Sequence, residues 1–311
     1  LNETSGERPR RKLGRGLSDV SHIFLSGAEP KRPDPEIPVP AGSAPEGDHS
    51  QPSVWIPDAT YISITSGEAA RGKSMLSANL AFTLRSRGFR VTLVNADSSV
   101  PGLTELTGCA EGGATGDSFV TNEAFGELPV VSVFGARRNP GELGTEVAGP
   151  MAEAGREARL VVTDTSPVAD TSYGIWRLSS LVVVVTEPAM DVMRSAYVTV
   201  KRVHAAAPGT RIGIVVNRVA SHAEGEACFR KISGVSRDFL KINLRNYGII
   251  MRDQAAVQAG ERQLPLLGAF PGSKASDCVE AIARLILMDE SAIARRRTEV
   301  RPEECALRRG A

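Results

Sequence analysis

Residues Tyr61 to Asn79 read YISITSGEAARGKSMLSAN, and this stretch decides the fold. The apolar run Tyr61-Ile62-Ser63-Ile64-Thr65 leads into Gly67, and Gly72-Lys73-Ser74 closes a G-x-x-x-x-G-K-S loop. Beyond it, Leu76, Leu80, Ala81 and Leu84 recur at helical spacing on one face. Strand, glycine loop and helix in that order are what a phosphate-binding P-loop requires. Backbone N–H groups of such a loop wrap phosphate oxygens. The helix N-terminus adds its partial positive charge. Lys73 is placed to reach the outer phosphates, and the Ser74 hydroxyl to ligate Mg2+. A chance glycine-rich turn would have no reason to carry both flanks.

Outward from the loop, strand-like and helix-like patterns alternate. Strands are expected at Tyr61–Thr65, Arg90–Asn95, Val130–Phe134, Leu160–Thr163, Leu181–Thr186, Ile212–Asn217 and Tyr247–Ile250. Several are unbroken Val/Ile/Leu runs, such as LVVVVT at Leu181–Thr186, which is how strands buried on both faces read. Helices are expected at Lys73–Arg87, Asp191–Ala206, Glu224–Leu240 and Lys274–Leu287. This alternation means an α/β fold: a doubly wound, mostly parallel sheet that binds ligands at the carboxyl ends of its strands. Two of those ends carry acids. RVTLVNAD finishes at Asp97, and LVVTD finishes at Asp164. Alone, such an Asp is usually a cap or turn residue. Two of them downstream of a P-loop fit a Mg2+–nucleotide site, one holding the metal's water and one orienting attacking water.

Charge is nearly balanced, 37 basic against 36 acidic residues, which gives no sign of a nucleic-acid partner. The cysteines Cys109, Cys228, Cys278 and Cys305 have no metal-ligand spacing and read as reduced thiols. No run approaches a membrane span, and the polar, basic start does not read as a signal peptide. The first 57 residues hold nine of the nineteen prolines. Residues 1–55 are therefore expected to be a disordered arm, 56–290 the P-loop domain, and 291–311 a charged tail. Within the arm, Leu17, Val20 and Phe24 form a short apolar stripe at about residues 16–26, beside Arg8, Arg10, Arg11, Lys12 and Arg15. A tethered stripe of this kind reads as a docking element for a protein partner. In the tail, apolar residues are sparse and Pro302 interrupts them, so binding of a membrane surface there is the lesser expectation.

TSGEAARGKSMLSANLAFTLRSRGFRVTLVNAD, then LVVTDTSP, then GIVVNRV resembles the MinD/ParA-type P-loop ATPases. The stretch from Asn217 to Ile286 is most similar to the flagellar-number regulators of that family, the FlhG/FleN type. The resemblance implies ATP/ADP and Mg2+ as cofactors, an ATP-dependent homodimer and a cytoplasmic place, with contact at the inner membrane as a lesser option. It implies that Gly67, Gly72, Lys73 and Ser74 bind phosphates. Asp97 would be the switch carboxylate, acting with Lys73 in catalysis. Ser74, Asp97 and Asp164 would serve the metal, Asn217 would read the adenine edge, and Asp253 would line the base pocket. The family loop carries a first Lys that reaches a partner's phosphates, but this chain has Glu68 there, and Asn95 where the family has an Asp. Arg71 is a candidate substitute cation in the cofactor site, weighed against a solvated surface arginine. Nucleotide binding is thus better supported than hydrolysis. The expected function is an ATP-binding regulatory switch. Two alternatives remain. One is a tyrosine-kinase-like ATPase of exopolysaccharide export, a family that shares the S-x-E-x-x-x-G-K-S loop. The other is a nucleotide-free scaffold.

Overall fold

A computed structural model of the chain describes residues 59–97, 102–107, 119–120, 125, 128–133, 145–167 and 170–300. In chain order the elements are β1 (Thr60–Ser66), α1 (Lys73–Ser86), β2 (Val91–Ala96), α2 (Leu103–Thr107), β3 (Phe119–Val120), β4 (Val130–Ser132), α3 (Thr145–Glu157) and β5 (Leu160–Thr165). They continue with α4 (Asp170–Leu178), β6 (Leu181–Thr186), α5 (Met190–Ala206), β7 (Arg211–Val219), α6 (His222–Val235), β8 (Arg245–Met251), α7 (Gln254–Glu261), α8 (Leu266–Ala269) and α9 (Lys274–Val300). The arm stripe at 16–26 and the tail beyond 300 lie outside the described residues.

Seven parallel strands run in the order β4-β2-β5-β1-β6-β7-β8, and β3 pairs antiparallel on the β4 edge. β1 lies in the middle, hydrogen-bonded to β5 on one side and β6 on the other. Every residue of β2, β5 and β6 is buried. Their β-branched runs therefore need cover on both faces, and helices supply it. On one face Leu76, Leu80 and Leu84 of α1 meet Ile62, Ile64, Val162 and Val183, with Val279, Ile282 and Ile286 of α9 completing the layer. On the other face, Val182 and Val184 pack with Met193, Ala196 and Val200 of α5 and Ile232 of α6, while α3 covers Val94 and Val161 with Met151 and Ala154. The α1 stripe read from the sequence is fully buried.

The seven expected strands are all present, and β3 is an addition. The helix expected at Glu224–Leu240 starts earlier and changes form before its end. Ser221 caps it by accepting the Glu224 N–H, and residues Ser236–Leu240 are a π-helical turn closed by Lys241 at φ 60°. The last helix runs to Val300 rather than stopping near Leu287. No helix among the described residues is long and apolar enough to cross a membrane.

Candidate functional site

Because the strands are parallel, β1, β2, β5, β6 and β7 all present their carboxyl ends on one rim, and the loop after β1 lies across it. Both motif glycines are required by this packing. A Cβ on Gly67 would stand 2.1 Å from Ser195 Oγ and 2.6 Å from the Ala196 nitrogen, inside the first turns of α5. Gly72 adopts φ 86°, a left-handed conformation, and a Cβ there would meet Asn217 Nδ2 at 2.3 Å.

Lys73 opens α1, and its side chain is buried beneath the loop. The Nζ lies 2.7 Å from Asp97 Oδ2 and 2.7 Å from Asp164 Oδ1. β2 and β5 are neighbours in register, with Asn95 beside Asp164, so the two acids arrive on adjacent strand ends. A buried carboxylate is costly unless paired and hydrogen-bonded. Asp164 is fully buried, and its Oδ1 takes the Lys73 ammonium and lies 3.0 Å from the Ser77 hydroxyl. Its Oδ2 is also buried and has no hydrogen-bond partner among the described residues. That oxygen can accept from a metal-bound water. Among the described residues no three or more His, Cys, Asp or Glu side chains are grouped to hold a metal by themselves. Asn95 Oδ1 accepts the Asp97 N–H at 3.3 Å and so shapes the turn that presents Asp97.

The remaining expected residues have definite places. Arg71 has an exposed side chain, but its backbone is gripped on both sides. Its N–H donates to Glu187 Oε1 at 2.8 Å, and its carbonyl accepts from Asn217 Nδ2 at 3.0 Å. Asn217 Oδ1 accepts from the Arg218 N–H at 2.9 Å, at a bulge where the β7–β8 register shifts and Arg218 takes φ 57°. Asn217 thus braces the loop through its amide nitrogen while its amide oxygen is held by the neighbouring backbone. Asp253 stands at the start of α7, accepting from the N–H groups of Ala255 at 2.9 Å and Ala275 at 3.1 Å. It joins the starts of α7 and α9. The Ala255 N–H chiefly holds its carboxyl below the usual carboxylate range, against partial burial, with the Ala275 and Lys274 N–H groups adding to it. Glu68 turns away from the loop interior and lies 3.5 Å from Arg202 Nη1 on α5. Its charge therefore faces a cation rather than the phosphate cradle.

Sequence reasoning did not single out Ser77, Glu187 or Arg202. Ser77 lies one helical turn after Lys73. Glu187 follows β6 just as Asp97 follows β2, so the strand-end rule that found the two aspartates would have found it too. Arg202 carried no signal, because its role depends on how α5 packs beside residue 68. A surface cleft of about 450 Å3 lined by Phe82, Arg85, Phe89, Arg90 and Phe125 lies at the opposite end of α1 from Lys73 and is a separate feature.

Known proteins resemble this chain in sequence and in fold. Residues 62–266 match the family model described as the CobQ/CobB/MinD/ParA nucleotide binding domain. The chain is 28% identical over 240 residues to the antiactivator FleN of Pseudomonas aeruginosa, covering 72% of this chain and 85% of the relative. It is 25% identical over 246 residues to the flagellum site-determining protein YlxH of Helicobacter pylori, covering 73% and 81%. Among solved structures it is similar to the septum site-determining protein MinD of Pyrococcus horikoshii complexed with Mg-ADP. That match has a TM-score of 0.58 at 17% identity and covers 73% of this chain and 96% of that one. At such identity the likeness shows the fold.

The Asp253 geometry carries a stability prediction. Asp253→Ala is expected to cost about 1 kcal/mol at neutral pH, as loss of a helix cap does. The folded carboxyl is held below its unfolded value of roughly 3.9. Its contribution is therefore full above that value and is lost as pH falls through the lower folded one. Urea melts of both proteins should differ at pH 7 and converge in strong acid. A difference that persists unchanged in acid would show that the cap's charge is not what stabilises.

Proposed function

Because the chain belongs to the CobQ/CobB/MinD/ParA nucleotide-binding family, we propose that it is an ATP-dependent regulatory switch whose nucleotide state sets its hold on a protein partner. The observation that carries this reading is the Lys73 ammonium lodged between Asp97 and Asp164 directly under the phosphate loop. Phosphate oxygens entering the loop compete with the two carboxylates for that ammonium. As Lys73 moves toward phosphate, the Asp97 carboxylate at the exit of β2 exchanges that partner and can orient a water or shift the segment that follows. Ser74, Asp97 and Asp164 would hold Mg2+, which when bound supplies positive charge against the phosphates. The names of the two relatives, an antiactivator and a flagellum site-determining protein, support a regulatory role. A cytoplasmic site of action goes with this reading.

Hydrolysis is proposed to be slow. The position from which the family sends a lysine to a partner's phosphates holds Glu68, paired with Arg202 of its own chain. An ATP-dependent homodimer would form here without that crossing cation. The N-terminal arm is proposed to dock a protein partner through Leu17, Val20 and Phe24.

Calorimetry tests the binding step. Lys73→Ala should abolish MgATP binding. It should also destabilise the fold by about 3–5 kcal/mol, because two buried carboxylates lose their counter-ion. Lys73→Arg separates these effects. It keeps the charge but not the compact three-donor head, and should fold while binding MgATP at least about tenfold more weakly. Wild-type affinity in that variant would refute the assignment.

Released phosphate tests the slow step. Glu68→Lys faces Arg202 with like charge, which turns the new cation toward the loop. Turnover should rise, because the cation meets charge developing on the transferred phosphoryl group. No rise in a variant that still binds ATP would place the slow step elsewhere, with Asn95 the next residue to examine. For the arm, deleting residues 1–28 should leave MgATP affinity and melting temperature unchanged and remove a partner from pull-downs. A large fall in melting temperature would mean instead that the arm packs on the domain.

A further inference from the structure

Glu187 is an acid on the phosphate rim that is not bonded to Lys73. It follows β6, and its carboxylate points back at the loop. Oε1 accepts the Arg71 N–H at 2.8 Å, Oε2 lies 3.9 Å from Arg218 Nη1, and the side chain is only 16% exposed. The Arg71 N–H belongs to the loop's backbone, the part of a P-loop that grips phosphate. A carboxylate oxygen and a phosphate oxygen are the same kind of acceptor, anionic and strong. One N–H cannot serve both at full strength, and the two anions repel each other at that distance.

Resting on the nucleotide-binding reading above, we propose that Glu187 is a tethered anion that competes with the nucleotide's phosphates for the Arg71 amide, and that Arg218 takes up its carboxylate when phosphate enters. The backbone on either side is fixed. Thr186 is in β6, the Glu187 carbonyl accepts from Cys228 Sγ at 3.8 Å, and Pro188 restricts the chain after it. The exchange therefore falls to the side chain. Arg218 is suited to receive it: its head group is half exposed, and its backbone is set at φ 57° by the β7 bulge. With phosphate absent, Glu187 holds the loop in an anion-bearing shape. With phosphate present, it sets a threshold that a highly charged polyphosphate passes more readily than a weaker anion.

Calorimetry of the full chain with MgATP, and separately with magnesium pyrophosphate, tests the proposal. Glu187→Gln removes the charge and keeps the size. It should bind both probes about tenfold more tightly, the scale of one charge-assisted hydrogen bond. The gain should appear with pyrophosphate as well as with MgATP, since the competition is at phosphate and not at the base. Arg218→Ala should weaken both probes about threefold, as loss of a half-exposed charge pair does. It should have no such effect when combined with Glu187→Gln. If Glu187→Gln does not fold, Glu187→Asp withdraws the same charge from the amide by one methylene and should shift both affinities in the same direction. Equal or weaker binding in a folded position-187 variant would overturn the proposal and make Glu187 a loop-positioning residue. Binding by Glu187→Gln where the wild type shows none would support it. Absence of MgATP binding in both proteins would instead bring down the nucleotide reading, and this inference with it.

Discussion

One buried ammonium organises this molecule. Lys73 is the first residue of α1, Asp97 follows β2, and Asp164 lies in β5, so three separate parts of the chain meet at one charge. Neither carboxylate is tolerable so far from water without a counter-ion. The requirement fixes the height of α1 above the sheet and the length of β2 and β5 at their carboxyl ends. It also places the loop, because Lys73 is tied to Gly72, whose left-handed backbone leaves no room for a side chain against Asn217. The same contacts that hold the domain together are those a phosphate would have to exchange. Stability and ligand response are therefore properties of one cluster.

Around that cluster the loop is held at its edges. Gly67 is pressed against α5, and the Arg71 backbone is clamped between Glu187, just after β6, and Asn217 of β7. A loop gripped at both peptide atoms by neighbouring strand ends has little freedom to collapse. The grip on the Arg71 N–H occupies that donor as well as placing it, so a stiff loop here is not an open one.

The parallel sheet was legible in the sequence because burial on both faces leaves a plain mark: β6 is a continuous run of β-branched and aliphatic residues, and β5 opens on one, Leu160 to Thr163. The acids Asp97 and Asp164 were legible because a strand end is a predictable address. What escaped notice had weaker local marks. α3 carries Pro150 inside it, a residue that reads as a breaker, yet Met151 and Ala154 are buried against the sheet and hold the helix there. α4 and α7 are short helices of nine and eight residues, too brief for a periodic pattern to stand out. The π-helical turn after α6 is set by tertiary packing, not by any propensity of Ser236–Leu240. At the site, Asn217 and Asp253 were named from the family resemblance, as adenine-edge and base-pocket residues. The structure shows them holding backbone groups from remote elements, which no reading of spacing can reveal.

The central place of β1 has a consequence for the history of each molecule. Its partners β5 and β6 are far along the chain: Thr60 pairs with Leu160, and Ile62 with Leu181. As the chain leaves the ribosome, the first strand emerges with both edges unpaired and stays so until about a hundred further residues have followed. Such distant pairing closes slowly, and an unpaired apolar strand is open to wrong partners meanwhile. Lys73 has no buried acid to meet until β2 and β5 have docked. A chain that ends before β5 thus cannot assemble this cluster, whose appearance marks the docking of β2 and β5 beside β1.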